Sequence, residues 1–414
     1  MVGQNWAHNI SFNPWRVAAP TSVAEVTELI SENATVGVVG AGHSFSDIAD
    51  TDGVLIATNR MRRVLAIDSE AQTVTMQGGI RYHELCDILN ANGFALHNLM
   101  SIPHFSVAGA TATATHGSGD NNRCLASAIR AVEFVNGAGD LVSLERGHND
   151  FGGVPIALGA LGVITQLTLD IEPAFEMTQE VLLDLPTATA IESFDEIMAS
   201  AYSVSLFTDW QGTSVNQLWR KHRNDSGTAS AIPTSYLGAR PSTGALLPSG
   251  DAGGRLVTPQ LLINGPWHQR LPHIDPTHHL EPAGELQTEY FVTRTHARQA
   301  LEVVASLGDK LAPALRLSEI RTVASDELWL SPFPEPTLAL HFSWHIDADL
   351  GPVFPVLEEA LSPFDPLPHW GKLHTMPAAV LRRRYPRFDD FRALAQRHDP
   401  NRKFRNAYLN DLLD

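Results

Sequence analysis

An α+β fold built from short elements is predicted for this chain of 414 residues, and three observations support the prediction. Brief β-rich and helical segments alternate irregularly over residues 1–175, without the long helices of a regular α/β protein. Amphipathic helices and alternating strands return after residue 295. Hydrophobic residues make up 43% of the chain and charged residues 18%, a composition that excludes a disordered or fibrous protein. The length suits two domains or one large one.

The N-terminal region is predicted to begin with a capped helix that several strands follow. Thr21 or Ser22 can cap this helix, whose apolar positions recur at helical spacing as Val23, Val26, Leu29 and Ile30. Four β-branched or aliphatic runs then predict strands, at residues 35–40, 53–58, 63–68 and 73–79. The next segment, residues 81–93, is predicted to be a helix that Gly93 closes.

Strand and helix signals continue to the C-terminus. Two predicted strands flank the turn NGAGD, in which Asn and Gly tolerate positive φ. A stretch from about Arg223 to Pro282 is rich in Gly, Pro, Ser, Thr and His, and we expect it to form loops of a second domain that begins near Pro173. The further predicted elements are strands at 128–135 and 141–145, a short helix and a strand in 151–173, a helix in 295–313, strands in 318–325 and 337–347, a helix in 352–364, and a last helix that ends at Asp399 before a short tail.

Charge and cysteine content narrow the possible functions. Lys and Arg number 29 against 46 Asp and Glu, so the formal net charge is −17. Such an acidic protein is not expected to bind nucleic acid or an anionic membrane. The two cysteines, Cys86 and Cys124, are predicted to be buried reduced thiols. Because there is no signal-peptide pattern and no apolar run long enough to span a bilayer, a soluble cytoplasmic protein is expected.

The segment VVGAGHSFSD, residues 38–47, is the strongest local candidate for ligand binding. Gly40 and Gly42 flank Ala41 directly after a predicted strand, and small residues there let backbone N–H groups approach a phosphate closely. The segment is not a Rossmann fingerprint, because the chain enters another strand with no room for the required helix. A tight glycine turn between two strands explains the same residues equally well.

A second candidate lies in residues 106–119, where nearly every side chain is small. Such a segment buries little apolar area per residue, but it can lay its backbone against a flat or charged ligand. Its hydroxyl groups belong to Thr111, Thr113, Thr115 and Ser118, and Ala and Val dominate the positions between them. This half-apolar pattern favours a buried ligand lining over a surface loop.

Charged side chains in two apolar segments near the C-terminus are candidates for chemistry. Glu319 and Arg321 are two apart in a predicted strand and therefore share one face. Lys372 lies between Trp370 and His374, and the whole chain has only four lysines. Buried charges are costly unless they are paired or used. These side chains therefore either bind a ligand or form an ordinary ion pair.

Other kinds of site find little support in the sequence. His273, His278 and His279 cluster in the segment HIDPTHH, but no second motif at metal-ligand spacing accompanies them, so no metal site is predicted. The chain has no GxSxG nucleophile elbow and no P-loop.

Six motifs in a fixed order carry a resemblance to a known family. They are VVGAGHSFSDIA, SIPHFSVAGATATATHGSG, LGALGVIT, SEIRTVA, HWGK and the terminal KFRNAY. Together they resemble the FAD-dependent oxidases of the vanillyl-alcohol-oxidase type, and within that family the bacterial enzymes that oxidise alditols such as xylitol. The segments AYSVSLFTDW and NGPWHQRLPH resemble the same subgroup. The resemblance spans nearly the whole chain.

The resemblance implies a domain organisation and a reaction. Residues 1–172 would form a two-subdomain FAD-binding domain, residues 173–376 an antiparallel-sheet cap that carries the substrate site, and residues 377–414 a segment that returns to the FAD-binding domain. The implied reaction is oxidation of the terminal primary hydroxyl of a polyol, xylitol or sorbitol, to the aldose. The hydride would pass to flavin N5, and oxygen would reoxidise the flavin and give hydrogen peroxide. A monomer is expected.

Two other functions stay open. One is an aldonolactone oxidoreductase that uses an acceptor other than oxygen. The other is a protein that binds flavin or sugar without turnover.

The same resemblance assigns the flavin site. His43 stands where the family attaches FAD covalently through the flavin 8α carbon, and no cysteine in the THGSG segment offers a second tether. Val163 and Ile164 would lie near the adenine end. The full set implied to contact FAD is Gly40, Ala41, Gly42, His43, Ser44, Ser101, Ser106, Gly109, Thr113, Ala114, Thr115, His116, Gly117, Val163 and Ile164.

The resemblance also assigns the substrate site, to Ser101, Glu319, Arg321, Ser343 and Lys372. Arg321 and Lys372 would stabilise the alkoxide charge that develops as the hydroxyl loses its proton. Glu319 would orient the hydroxyls and could act as the base. Ser101 and Ser343 would help to hold the polyol chain, although the subgroup carries Thr at the position of Ser343.

One position departs further from the subgroup. The residue before Ser101 is usually small there, whereas this chain has Met100. In related enzymes a side chain at this position can control how oxygen reaches the flavin. Because the Met side chain is long but flexible, the electron acceptor stays open between oxygen and another molecule.

Overall fold

The computed structural model describes residues 3–224, 235–278 and 284–414. Within these ranges the chain forms four β-sheets and eleven α-helices. The strands are β1 (Arg16–Ala18), β2 (Val36–Val39), β3 (Val54–Ala57), β4 (Val64–Asp68), β5 (Thr73–Gln77), β6 (Phe94–Ala95), β7 (Ile129–Asn136), β8 (Leu141–Glu145), β9 (Gly162–Asp170), β10 (Glu172–Pro173), β11 (Glu176–Pro186), β12 (Ser203–Thr208), β13 (Ser214–Arg223), β14 (Arg240–Pro241), β15 (Gly265–Pro266), β16 (Glu285–Thr293), β17 (Leu315–Val323), β18 (Thr337–His345) and β19 (Leu367–Pro368). The helices are α1 (Val23–Glu32), α2 (Tyr82–Ala91), α3 (Val107–Ala112), α4 (Thr187–Glu192), α5 (Phe194–Met198), α6 (Ala297–Ser306), α7 (Gly308–Leu311), α8 (Val353–Leu361), α9 (Ala378–Arg384), α10 (Phe388–His398) and α11 (Ala407–Leu413).

The N-terminal part of the chain builds three of the sheets, of which the antiparallel pair of β6 and β10 is the smallest. Strands β1, β3 and β2 form a small parallel sheet, and β4, β5, β9, β7 and β8 form an antiparallel one. Helix α1 begins after Ser22, whose hydroxyl accepts a hydrogen bond from the Glu25 backbone N–H at 3.3 Å. Helix α2 is followed by Gly93 at a φ of +80°, a conformation that favours glycine. Both helix boundaries agree with the sequence prediction.

The largest sheet has nine antiparallel strands in the order β14-β11-β13-β12-β17-β18-β16-β19, with β15 also paired to β11. Helices α6 and α8 pack on one face, where Leu301 and Leu357 join the same buried apolar cluster as Leu340 and Phe342 of β18. Because side chains alternate along a strand, the intervening residues of β18 point to the other face. That face bounds the cavity described below.

The register of this sheet places three polar side chains in one row. Glu319 of β17 pairs with His341 of β18, and His341 pairs on its other side with Glu289 of β16. In the next row Ser343 of β18 pairs with Gln287 of β16. Two strands that flank β18 therefore each bring a carboxylate to the same level of the sheet.

Five helices lie where the sequence analysis predicts none. Helix α3 occupies the small-residue segment and begins at Ser106, whose hydroxyl accepts from the Gly109 N–H. Helices α4 and α5 lie between β11 and β12, and α9 and α11 lie on either side of the predicted last helix, α10. The tail after residue 400 thus ends in a helix, capped by Asn406, whose amide also donates to the carbonyl of Asp50 at 2.9 Å. These contacts bind the C-terminus to the loop that follows β2.

The chain enters the nine-stranded sheet at Glu176 and leaves it at Pro368. One buried apolar cluster nevertheless extends across the sheet boundary, since Phe291 and Val323 pack in the same cluster as Leu99. The domain boundaries after residues 172 and 376 stay predictions.

Three further observations concern the described residues. None of their helices is both long and apolar enough to cross a bilayer. They bring no three His, Cys, Asp or Glu side chains together in a group that could hold a metal ion, and His279 of the HIDPTHH segment lies outside them. Cys86 and Cys124 are free and buried, as the sequence analysis predicts.

Candidate active site

A single cavity of about 550 Å³ joins the glycine-containing loop to the nine-stranded sheet. Its volume is typical of sites for small molecules and cofactors. One end is lined by residues 37–46 and by residues of the segment 105–116, and the other end by side chains of β16, β17 and β18. Both candidate ligand segments and all five predicted substrate residues therefore border one space.

Most of the residues implied to contact FAD line this cavity. They are Gly40, Ala41, Gly42, His43, Ser44, Ser101, Ser106, Gly109, Thr113, Thr115, His116 and Ile164. Three others do not border it. Val163 is fully buried in an apolar cluster with Val135, while Gly117 packs against the Leu99 carbonyl and Ala114 lies in the apolar core. These three residues therefore lie behind the residues that line the cavity.

The lining fits a cofactor that needs a close approach to the backbone. A Cβ atom added at Gly40 would lie 2.0 Å from the Ser106 hydroxyl oxygen and 3.1 Å from its Cβ. Gly42 has a φ of +70°, which favours glycine. The turn and the helix start are thus packed against each other without side chains between them, and both border the cavity.

We expect Gly40→Ala to lose most of its FAD, because the new methyl group would push the Ser106 segment away from the loop. The measurement is the ratio of flavin to protein absorbance after purification. Gly244→Ala serves as the control, because no atom lies within 4 Å of an added Cβ there. The double variant Gly40→Ala/Ser106→Ala should regain part of the FAD, although the lost helix cap costs about 1 kcal/mol. Full FAD content in Gly40→Ala would contradict this account.

His43 stands in the loop between two aromatic rings. Its ring centroid is 5.2 Å from that of Trp6 and 4.4 Å from that of Phe105. Burial, helped by the nearby Arg81 cation, lowers the pKa of His43 to about 3. The imidazole is therefore neutral at pH 7 and retains a nitrogen lone pair. A neutral imidazole in the glycine loop fits the flavin attachment that the resemblance implies.

Glu289 is the centre of the charged cluster at the other end of the cavity. Its carboxylate accepts from Arg321 Nη2 at 2.6 Å and from Lys372 Nζ at 2.8 Å, and His116 Nε2 lies 3.2 Å away. Burial alone would raise the pKa of Glu289, but the Lys372 and Arg321 cations together hold it well below its ordinary value. Glu289 is thus an ionised carboxylate, 1% exposed, that fixes both cations.

Arg321 and Glu319 share one face of β17, as their spacing predicts. Arg321 Nε lies 3.6 Å from a Glu319 oxygen, too far for a hydrogen bond, and among the described residues this buried N–H has no hydrogen-bond acceptor. A buried donor without a partner is costly in a folded protein. Arg321 also borders the cavity, and only Nη2 of its guanidinium donates to Glu289, so other N–H groups of this side chain are available to a ligand oxygen.

Lys372 comes from the turn that follows β19. Besides Glu289, its Nζ contacts His341 Nδ1 at 2.8 Å. The preceding residue, Gly371, accepts a backbone hydrogen bond from Phe45 at 2.8 Å. This links the lysine turn to the loop that holds His43. Burial lowers the pKa of Lys372, and Glu289 partly offsets that effect.

The two serines and the methionine of the predicted site also border the cavity. The Ser343 hydroxyl donates to Glu285, so its oxygen remains an acceptor for a ligand. Ser101 is half-buried, and its backbone carbonyl accepts from His273 N at 3.0 Å. Met100 is 3% exposed and lies at the lining next to Ser101.

Sequence reasoning missed three functional candidates, Glu289, His341 and His273. Glu289 lies in the strand TEYFVT, and a lone carboxylate in an apolar strand is the same signal that pointed to Glu319. His341 could have been found from its alternation with Ser343 on β18. His273 was noted only in the histidine cluster HIDPTHH, and no local signal predicted its place in this site, since it reaches the cavity from a loop and its partner Glu319 is 46 positions away.

Comparisons with known proteins agree with the arrangement. A family model described as an FAD binding domain matches residues 14–145, and one described as D-arabinono-1,4-lactone oxidase matches residues 285–412. An alditol oxidase from a Streptomyces species is 46% identical over 99% of this chain and 98% of its own. An L-gulono-1,4-lactone dehydrogenase from Mycobacterium tuberculosis is 30% identical over 100% of this chain and 99% of its own.

Among solved structures, cholesterol oxidase from B. sterolicum aligns with a TM-score of 0.78 at 16% identity, over 99% of this chain and 96% of that chain. This likeness concerns the fold, and it confirms the predicted α+β oxidase architecture with its large antiparallel sheet. The Streptomyces alditol oxidase, at 46% identity over nearly the full length of both chains, is a closer relative than this cholesterol oxidase. The protein therefore belongs to the alditol oxidase group of the FAD-linked oxidases of the vanillyl-alcohol-oxidase family.

Proposed function

We propose that this protein oxidises the terminal primary hydroxyl of a small polyol, such as xylitol or sorbitol, to the aldose. Oxygen would be the electron acceptor and hydrogen peroxide the second product. The observation that carries the proposal is the buried Glu289 carboxylate that holds Arg321 and Lys372 together at the lining of the cavity that the glycine loop also borders. FAD, held by residues 40–44 and by the segment 106–116, would supply the hydride acceptor and the route of electrons to oxygen.

In the proposed reaction, Arg321 and Lys372 would act on the reacting hydroxyl. Glu289 holds both cations through its two carboxylate oxygens, so their positive charges stay together without reorganisation. Fixed donors aimed at an oxygen stabilise the negative charge that develops on it in the transition state. In this role Arg321 would bind the oxygen through another guanidinium N–H while Nη2 remains on Glu289.

Glu319 is suited to orient hydroxyl groups and is a poor base. Burial alone would raise its pKa, but Arg321 and His273 hold the pKa well below its ordinary value. One carboxylate oxygen already accepts from His273 at 2.9 Å, which leaves the other to accept a hydrogen bond from the substrate. This refines the sequence-based expectation, which also allowed Glu319 to act as the base. The hydroxyl proton would instead be released to water, and a proton would be taken up again when oxygen is reduced to hydrogen peroxide.

An aldonolactone substrate with another electron acceptor is the alternative. Its support is the match of residues 285–412 to the lactone oxidase family and the 30% identity to a lactone dehydrogenase. The identity of 46% to an alditol oxidase favours the polyol.

Product analysis in air tests the proposed reaction. With xylitol in air-saturated buffer, we expect hydrogen peroxide and xylose to form in equal amounts, measured by a peroxidase-coupled assay and by chromatography. Aldose without peroxide would mean that another molecule takes the electrons. Turnover of an aldonolactone without turnover of xylitol would replace the proposal with the alternative.

Met100 is expected to slow the reaction with oxygen without preventing it. Its long side chain lines the cavity beside Ser101, where related enzymes carry a small residue. We expect Met100→Ala to reoxidise faster after reduction by xylitol, while the rate of flavin reduction stays close to that of the parent protein. The measurement is the return of flavin colour after air is admitted. Slower or equal reoxidation in Met100→Ala would show that Met100 does not limit oxygen access.

We further propose that FAD is attached covalently to His43, and that the protein acts as a cytoplasmic monomer. The neutral imidazole in the glycine loop supports the attachment. The two buried free thiols, Cys86 and Cys124, are typical of proteins in a reducing compartment. Mass spectrometry of the denatured chain would test the attachment, and light scattering would test the monomer.

A further inference from the structure

A buried lysine lies behind the substrate end of the cavity, and the proposed chemistry does not use it. Lys221 of β13 is 1% exposed. Its Nζ contacts the carbonyl oxygen of Leu271, that of Pro272 at 2.9 Å and His273 Nδ1 at 3.0 Å. Burying an ammonium group is costly unless its hydrogen bonds are made. All three contacts of Lys221 are made by one short segment, residues 271–273.

Two contacts fix which nitrogen of His273 carries the proton. The ionised Glu319 carboxylate can only accept, so Nε2 of His273 carries the hydrogen and donates to a Glu319 oxygen at 2.9 Å. Nδ1 then accepts from Lys221 Nζ at 3.0 Å. Phe207 and Trp219 pack edge-on against the imidazole, with ring centroids 5.4 and 5.0 Å away. These contacts fix both the orientation of the imidazole ring and its tautomer.

Backbone N–H groups at and just after this segment bind the Ser101 loop, on the other side of the substrate site. His273 N donates to the Ser101 carbonyl at 3.0 Å, and Ile274 N reaches the same oxygen at 3.3 Å. His273 therefore contacts two of the predicted substrate residues at once. One of them, Ser101, belongs to the N-terminal part of the chain, and the other, Glu319, belongs to the nine-stranded sheet.

We propose that Lys221 and His273 form a positioning pair for the substrate site. Lys221 holds the segment 271–273 and keeps His273 as an Nε2–H donor, and His273 sets the orientation of the ionised Glu319 and the position of the Ser101 loop. His273 and Lys221 are positioning residues that act through Glu319 and Ser101. The inference rests on the proposed polyol oxidation.

The charges around Glu319 give the proposal a pH signature. Arg321 faces it from its own strand, His341 from β18, His273 from the loop and Lys221 from β13, while β12 contributes the uncharged Phe207. Glu289 of β16 carries the remaining negative charge and is neutralised by Arg321 and Lys372. Without the His273 hydrogen bond the pKa of Glu319 would rise toward its ordinary value, although Arg321 would still hold it down against the effect of burial. Activity would then fall at a higher pH on the acid side.

Four variants of the FAD-loaded protein test the pair. We expect Lys221→Met and His273→Leu each to raise KM for xylitol roughly tenfold, as the loss of a supporting hydrogen bond does at other sites, and to move the acid limb of kcat/KM upward in pH. His273→Gln should keep most of the parent behaviour, since its amide can donate to Glu319 and accept from Lys221. Lys310→Met, at an exposed position of α7, is the matched control for the loss of a lysine.

The double variant Lys221→Met/His273→Leu separates a pair from two independent effects. Because Lys221 orients Glu319 through the His273 imidazole, its substitution should add little to the pH shift of His273→Leu. A parent-like KM and pH profile in FAD-loaded His273→Leu would overturn the proposal, as would additive pH shifts in the double variant or equal damage in His273→Gln and His273→Leu. If Lys221→Met does not fold, His273→Leu and His273→Gln still test the proposal, because both variants keep Lys221. A parent protein that xylitol cannot reduce would refute the proposed function instead.

Discussion

Replacing Lys372 by Met is expected to slow flavin reduction by xylitol roughly 100- to 1000-fold, the usual cost of removing one fixed donor to a developing oxyanion. The substitution removes the charge and keeps most of the side-chain volume. Glu289 retains its hydrogen bond from Arg321 at 2.6 Å, so the buried carboxylate is not left unpaired. The folded protein should therefore survive the change, and the loss should appear in the chemical step.

Anaerobic stopped-flow absorbance of the oxidised flavin band measures this step directly. Lys310→Met is the control, because Lys310 is exposed on α7 and has no role in the proposed site. A rate of reduction in Lys372→Met that equals the parent rate would show that Lys372 does not stabilise the alkoxide. A protein that only binds polyols would keep its ligand affinity in this variant and would show no reduction even in the parent.

Replacing His43 by Ala is expected to abolish covalent attachment of FAD. Acid precipitation should leave the parent protein yellow and the variant colourless, with the flavin in the supernatant. The physical basis is the neutral imidazole. Burial lowers the pKa of His43 to about 3, so one of its two ring nitrogens keeps a free lone pair at pH 7. Trp6 and Phe105 hold that ring in the cavity lining.

His148→Ala is a suitable control for this experiment, since His148 is an exposed histidine of the N-terminal part of the chain. It should stay yellow after precipitation. A yellow His43→Ala precipitate would show that another residue carries the flavin. A colourless parent precipitate would show that FAD is bound without a covalent bond.

Several elements and site residues were predictable from local signals. The period of two in a strand placed Glu319 and Arg321 on one face, and the structure has them on one face of β17. The cap residue Ser22 and the closing Gly93 marked the limits of two helices. Each of these predictions needed only residues within a few positions of one another.

The parts that the sequence did not reveal depend on distant contacts. Helix α3 has small residues without an apolar period, and it is stabilised by packing against the loop of Gly40. Glu289 is joined to Arg321 and Lys372 from separate strands and a turn. His273 meets Glu319 only after the nine-stranded sheet and the long loop have formed. No local pattern encodes such pairings.

The most direct test of the polyol oxidase assignment is an anaerobic titration followed by air. The yellow protein is mixed with xylitol, and separately with L-gulono-1,4-lactone, while the oxidised flavin band is recorded. We expect xylitol to bleach the band, the lactone to do so poorly, and the colour to return promptly in air. Bleaching by the lactone but not by xylitol would rule out the polyol oxidase assignment and would make the protein a lactone oxidoreductase.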